Sequence, residues 1–89
     1  MQRTGQVTVT TAGTAVQGGS AIGSLWAFAP HPDNTGIAYM GNDGAGDVTS
    51  ANGFPLPSGS TIILNAGNLN EFYFDSTQDG DKVCWMRLA

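Results

Sequence analysis

The stretch Ser50-Ala51-Asn52-Gly53-Phe54-Pro55-Leu56-Pro57-Ser58-Gly59-Ser60 runs straight into the apolar Thr61-Ile62-Ile63-Leu64. Proline and glycine punctuate the first part, so it reads as a turn-rich connector delivering the chain into a short strand. The same rhythm holds from Gly36 to Met86, where short β-favouring runs are separated by glycine, asparagine, aspartate and proline. Nowhere do apolar residues recur at helical spacing for about ten positions or more. The block therefore specifies a small all-β domain, and no reactive constellation interrupts it.

Outward from that block the pattern persists. Val7 and Val9 alternate with Thr8 and Thr10, predicting a first strand over residues 6–11. Ala12-Gly13 turns the chain, and residues 14–17 are expected to pair back on that strand. From Ser24 to Ala29, Leu25, Ala27 and Ala29 share one face, while Trp26 and Phe28 share the other. Pro30 and Pro32 end the run, since each lacks an amide donor and holds its predecessor extended. Residues 36–40 resume as a strand with Ile37 and Tyr39 on one face, followed by a loop over residues 41–46. Residues 61–65 form the most apolar strand and are placed at the centre of a sheet. Asn68-Leu69-Asn70 turns into residues 71–75, where Phe72 and Phe74 face together. A tight turn at residues 78–81 leads to the closing strand, residues 82–88. There Cys84 lies with Met86 and Leu88, opposite Val83, Trp85 and Arg87.

These signals predict one domain over residues 1–89, an all-β sandwich or jelly-roll-like barrel. About six to eight short antiparallel strands are expected, with no substantial helix. Residues 1–5 are read as a flexible N-terminal arm.

Composition bounds the function. The chain has 89 residues and a single cysteine, so it has no internal disulfide, and no Cys or His cluster offers a zinc site. A chain of this size buries only about 60–65% of its unfolded surface, which favours self-association as an added source of stability. Charged residues are 11% of the chain, against roughly 25% in an average domain. The gap is filled by Gly, Thr, Ser and Asn, giving a neutral, hydrogen-bonding surface suited to docking on other proteins. The net charge is −4, with only Arg3, Lys82 and Arg87 as cations. That is too little positive charge to neutralise a run of phosphates, so nucleic acid is excluded as a partner. The longest apolar stretch, Leu25 to Ala29, is far short of the roughly 20 residues of a membrane helix. The first residues lack the apolar centre of a secretion signal, predicting a chain made in a cytoplasm with Cys84 reduced.

Each candidate chemistry has a plainer reading. Asp75, Asp79 and Asp81 around Gly80 could gather oxygen ligands for calcium, but their spacing is not that of a calcium loop and Asp-Gly-Asp between strands is ordinary turn chemistry. Asp43 and Asp47 beside a glycine loop read the same way, and nothing marks any carboxylate pair for glycoside cleavage. His31 stands between two prolines. A Cys84–His31 nucleophilic pair is outweighed by Cys84 as a small buried hydrophobe with no cationic cluster to activate it. The glycines at 41, 44 and 46 open no helix and precede no lysine, unlike a phosphate loop. Trp26, Tyr39, Tyr73 and Trp85 divide between a partner- or sugar-binding platform and the core, the tryptophans leaning to core or subunit interface. No catalytic residue, metal ligand or cofactor site is assigned, and no enzyme activity is expected.

Three segments carry a resemblance. Gly36-Ile37-Ala38-Tyr39-Met40-Gly41, the Asn52-Gly53-Phe54-Pro55-Leu56-Pro57-x-Gly59-Ser60 segment, and Asn68-Leu69-Asn70-Glu71-Phe72-Tyr73-Phe74-Asp75 followed by Gly80-Asp81 together resemble a family of small tailed-bacteriophage virion proteins. Ser60 stands where that pattern often carries an acid. The resemblance implies a head-associated accessory component, most directly a capsid decoration protein or head-fibre-like domain. It implies a β-sandwich that associates with copies of itself, commonly as a trimer, on the outer head surface and binds the major capsid protein. It carries no catalytic residue. The candidate contact residues are Trp26, Tyr39, Asn52, Phe54, Pro55, Leu56, Tyr73 and Trp85, with the 50–60 connector and residues 1–4 as contact elements. The alternative is a carbohydrate- or receptor-binding β-module of a phage tail or fibre, working through exposed aromatics.

Overall fold

The computed structural model describes residues 4–44, 48–49 and 52–89. Eight strands lie among them: β1 (Thr4–Thr8), β2 (Val16–Gln17), β3 (Leu25–Pro30), β4 (Ala38–Gly41), β5 (Phe54–Leu56), β6 (Ile62–Asn65), β7 (Tyr73–Ser76) and β8 (Lys82–Arg87). They form two four-stranded antiparallel sheets, a first ordered β1-β8-β3-β6 and a second ordered β2-β7-β4-β5. The partners nest: β1 with β8, β2 with β7, β3 with β6, β4 with β5. The chain is thus one long hairpin, rolled so that β8 also meets β3 and β7 also meets β4. That is the jelly-roll arrangement of eight strands in two sheets. The sandwich form of the expected fold holds. The sheets do not close into a barrel, and β1, β6, β2 and β5 remain as edges.

The core lies between the sheets. Trp26 and Phe28 of β3, Val83 and Trp85 of β8, Phe74 of β7, Met40 of β4 and Leu56 of β5 all point into it. Their rings meet edge-on, Trp26 against Trp85 at 5.7 Å between centroids and Phe28 against Phe72 at 5.0 Å. Such pairs add roughly 0.5–1.5 kcal/mol each beyond simple burial.

Several expectations are corrected. The first strand is Thr4–Thr8 rather than residues 6–11, although Val9 still exchanges backbone hydrogen bonds with Gly80 and Asp81. Of the expected N-terminal arm, Thr4 and Gly5 belong to β1, and residues 1–3 lie outside the described residues. Residues 14–17 do not pair back on β1. Val16 and Gln17 cross to the second sheet and pair with Phe74 and Tyr73. The apolar run 61–65 is not central, because β6 is an edge strand with Ile63 58% exposed. Ile37 precedes β4 and is exposed, while Ala38 and Met40 carry the buried parity of that strand. Residues 69–71 form one turn of 3-10 helix before β7 begins at Tyr73. Asn68 caps that turn by accepting from the Asn70 amide, and Glu71 reaches back to the Asn68 amide at 3.0 Å.

Candidate protein-contact surfaces

The eight expected contact residues separate into three groups. Trp26, Leu56 and Trp85 are core residues, 0%, 1% and 8% exposed. Trp26 also donates its indole N–H to the Ala66 carbonyl at 2.9 Å. Their large apolar bodies fill the space between sheets, so none offers a free surface. Tyr39, Pro55 and Tyr73 lie on the outer face of the second sheet, where Tyr39 sits between Pro55 and Asp75 and next to the Tyr73–Gly41 pair. Asn52 and Phe54 line an apolar crevice of about 310 Å³ at the β5/β6 edge, with Met40, Ile62, Leu64 and Phe72.

The connector owes its shape to local chemistry. Asn52 Oδ1 accepts from the Thr49 hydroxyl at 2.6 Å and from the Thr49 amide at 3.2 Å, closing a short loop. Gly53 donates to the Thr49 carbonyl at 2.7 Å, and a side chain at that position would meet the same carbonyl oxygen. Pro55 is tolerated because β5 is an edge strand. Gly59, at φ +85°, turns the chain so that the Ser60 amide reaches the Pro57 carbonyl at 3.0 Å. The connector therefore carries the chain from the second sheet to the first. Ser50 and Ala51 lie outside the described residues.

The acids serve the architecture. Asp81 is 4% exposed and accepts from the Thr35 and Gly36 amides and the Ser76 hydroxyl at 3.1, 3.0 and 2.8 Å. Asp75 accepts from the Gly13 and Ser76 amides, and Asp79 from the Ala12 amide at 2.7 Å. These carboxylates pin loops. No group of three or more His, Cys, Asp or Glu side chains among the described residues is arranged to hold a metal ion. Asp47, half of the other expected acid pair, lies outside the described residues. His31 Nδ1 accepts from the Asp33 amide at 3.0 Å, within its own turn.

Cys84 is half-buried on the outer face of the first sheet, not in the core as expected, because its parity in β8 is opposite to that of Val83 and Trp85. Burial pushes its thiol up, with Lys82 pulling weakly the other way. A raised thiol is the reverse of an activated nucleophile.

Contact candidates that residue type alone overlooked are on that same face. One row across the sheet reads Thr4, Met86, Ala27, Ile63, and the next reads Gln6, Cys84, Ala29. Met86 is 47% and Ile63 58% exposed, and beside Met86 a hollow of about 630 Å³ opens over Ala27, Ala29 and Cys84, with Thr4, Gln6 and Thr61 at its sides. None of the four strands of this sheet contains an Asp or Glu. The signal was present in the sequence: Leu25-Trp26-Ala27-Phe28-Ala29 and Val83-Cys84-Trp85-Met86 are apolar at both parities, whereas a solvated antiparallel face ordinarily alternates with polar residues. No helix among the described residues is long and apolar enough to cross a membrane. Comparison with known family models, curated proteins and solved structures yields no match to this chain.

Proposed function

We propose that this chain is a non-enzymatic structural protein that works by adhering to other protein surfaces. Its specific role in this reading is a small decoration protein of a tailed bacteriophage, made in the host cytoplasm and mounted on the outer head surface. There it self-associates and binds the major capsid protein. The observation that carries the adhesive role is the outer face of the first sheet, which holds no acid in a chain of net charge −4 and presents Ala27, Ala29, Ile63, Cys84 and Met86 beside the uncharged Thr4 and Gln6 and the single cation Lys82. Burying such a face gains about 25 cal/mol per Å² with no carboxylate to desolvate. The virion assignment adds the sequence resemblance. The jelly-roll order is compatible with it by fold-level analogy alone, since viral capsid and lectin domains share that architecture.

The test is direct. Purified particles of the encoding phage should contain the chain by mass spectrometry, and the isolated protein should bind expanded, DNA-free heads in a sedimentation assay. Absence from particles together with no shell binding overturns the decoration reading. The lectin-like alternative has less to work with, because both tryptophans are in the core. It would survive as glycan binding abolished by Tyr39→Ala or Tyr73→Ala.

A further inference from the structure

We infer that the open edge of β6 takes an added strand: an extended segment of another protein, whose alternate apolar side chains enter the crevice between β6 and β5. The inference rests on the adhesive reading above and names a second means of adhesion, through backbone rather than through the outer face.

The first observation is where the backbone groups point. Along β3 and just past it, the Leu88 amide donates to the Leu25 carbonyl at 2.8 Å, and the His31 amide to the Lys82 carbonyl at 3.1 Å. Odd-numbered residues of β3 therefore face β8. Residues in an antiparallel ladder alternate sides, so Trp26 and Phe28 turn their amides and carbonyls to β6, opposite Leu64 and Ile62. The Ala66 amide continues that ladder to the Ser24 carbonyl at 3.2 Å. Ile63 and Asn65, with Thr61 ahead of them, then turn their own groups to the far side, the free edge of the sheet. All three are exposed. A row of amides and carbonyls at strand spacing is matched by one chemistry, another extended backbone.

The second observation is that the core is open beneath this edge. Phe54 pairs with Met40 and shares its inward face, yet Met40 is 2% exposed and Phe54 51%. Ile62 and Leu64 also pack toward the core and are only half-buried. These four residues and Phe72 line the crevice of about 310 Å³.

The third is a contrast among edges. β2 is two residues long, and β5 carries Pro55, which has no amide to offer. β1 also lies at an edge, but the core beside it is closed, with Val7 8% and Val9 0% exposed. Among the described residues, unguarded backbone and uncovered core coincide at β6. Neither β5 nor β6 contains a charged residue. The segment that fits is thus uncharged on its inward side, with a large apolar side chain for the crevice.

The probe is an acetylated, amidated peptide, Lys-Thr-Val-Thr-Phe-Thr-Val-Lys, added to the full chain and followed by amide NMR. Laid antiparallel, like every pair in this fold, it sends Val and Phe into the crevice and sets its threonine backbone against Thr61, Ile63 and Asn65. In the free chain the Ile63 and Asn65 amides should exchange with solvent at least about tenfold faster than those of Ile62 and Leu64. With peptide, shifts should centre on residues 61–65 and Phe54, exchange at Ile63 and Asn65 should slow, and Kd should lie below about 1 mM. The same peptide N-methylated at its threonines cannot donate and should bind about tenfold more weakly or worse. Ile63→Pro removes the outward amide, as Pro55 does in β5, and should match that loss. Phe54→Ala leaves the edge intact and should weaken binding about fivefold. No binding up to about 2 mM overturns the inference. So does equal binding of the methylated peptide, or protection of the Ile63 amide in the free chain. So does an edge filled by a second copy, seen as Ile63 and Asn65 exchange that slows as the 9.2 kDa chain doubles in mass. Peptide binding by a chain absent from particles would overturn the virion reading alone, and head binding by a chain that ignores the peptide would overturn this inference alone.

Discussion

The two ends of the sandwich are held by different means. At one end the β1–β2, β3–β4 and β7–β8 loops are tied together by carboxylates, with Asp75, Asp79 and Asp81 each accepting backbone amides from another loop. At the other end contact is closer and mostly uncharged. Gly18 donates to the Phe72 carbonyl, the Leu69 amide donates to the Ala21 carbonyl, and Leu69 is buried beneath them. Charge enters there through Glu71 of the Asn68–Glu71 capping box and through Arg87, whose guanidinium donates to the Ile22 carbonyl at 2.9 Å. The difference teaches that the acids at the first end are occupied as struts. A ligand role for them would dismantle the loops they hold, so the free chemistry of this molecule lies on its faces.

The largest effect should come from Asp81→Ala, which strips partners from two amides and a hydroxyl. Unsatisfied buried donors cost about 1–3 kcal/mol each, so a loss of about 3 kcal/mol is expected in urea unfolding. A loss below about 1 kcal/mol would mean that water replaces the carboxylate and that the strut picture is wrong. Next, Gly18→Ala places its Cβ 2.5 Å from the Leu69 carbonyl oxygen, against backbone that cannot step aside. Overpacking of this kind costs about 2 kcal/mol. Gly36→Ala, at the carboxylate end, meets side-chain atoms instead, of Thr77, Gln78 and Asp81, and Thr77 Oγ1 can yield only by releasing the Ile37 amide it accepts from. It should cost less, since side chains shift where backbone does not, and parity between the two would erase the contrast between the ends.

Asn68→Ala removes the cap of the 3-10 turn and an acceptor for the Ala21 amide, for about 1 kcal/mol. The smallest effect concerns Cys84. Its folded thiol is raised by burial, so the native state holds its proton where the unfolded state has begun to release it. Protons bound then favour the native state, and stability falls as pH rises through the range where an ordinary thiol ionises. Partial exposure keeps the drop to a few tenths of a kcal/mol. Cys84→Ser should flatten this alkaline limb in thermal melts.

Much of this fold could be read from alternation. The parity of Trp26 and Phe28 and the turn at Gly80 follow from local physics, whereas the first strand begins two residues early and the connector over residues 50–60 holds the short edge strand β5. Pairing did not follow. Ala12-Gly13 has the chemistry of a hairpin turn, but the loop it shapes is held by Asp75 and Asp79, far along the chain. Thr61-Ile62-Ile63-Leu64 looked central because it is apolar at both parities. That pattern is equally produced by an edge strand with one apolar side toward the core and the other, Ile63, exposed on the outer face. Among the contact candidates, Trp26 and Trp85, which lean to core or subunit interface by residue type, and Leu56 of the connector are buried, because in so small a domain the largest side chains are consumed by the interior. The more informative residues, Met86 and Ile63, are marked by appearing where a polar partner was due.

The nested pairing also sets a tempo. Thr4 finds its partner in Met86, while Met40 finds Phe54 close by. Closing short loops first is entropically cheaper, so assembly is expected to begin at the β4–β5 tip and zip outward, on the slow timescale of non-local β-proteins. Because β8 is the neighbour of both β1 and β3, the first sheet cannot complete until the last strand has left the ribosome. A prematurely terminated chain would present unpaired strand edges, marking it for degradation before it could occupy a place in any assembly.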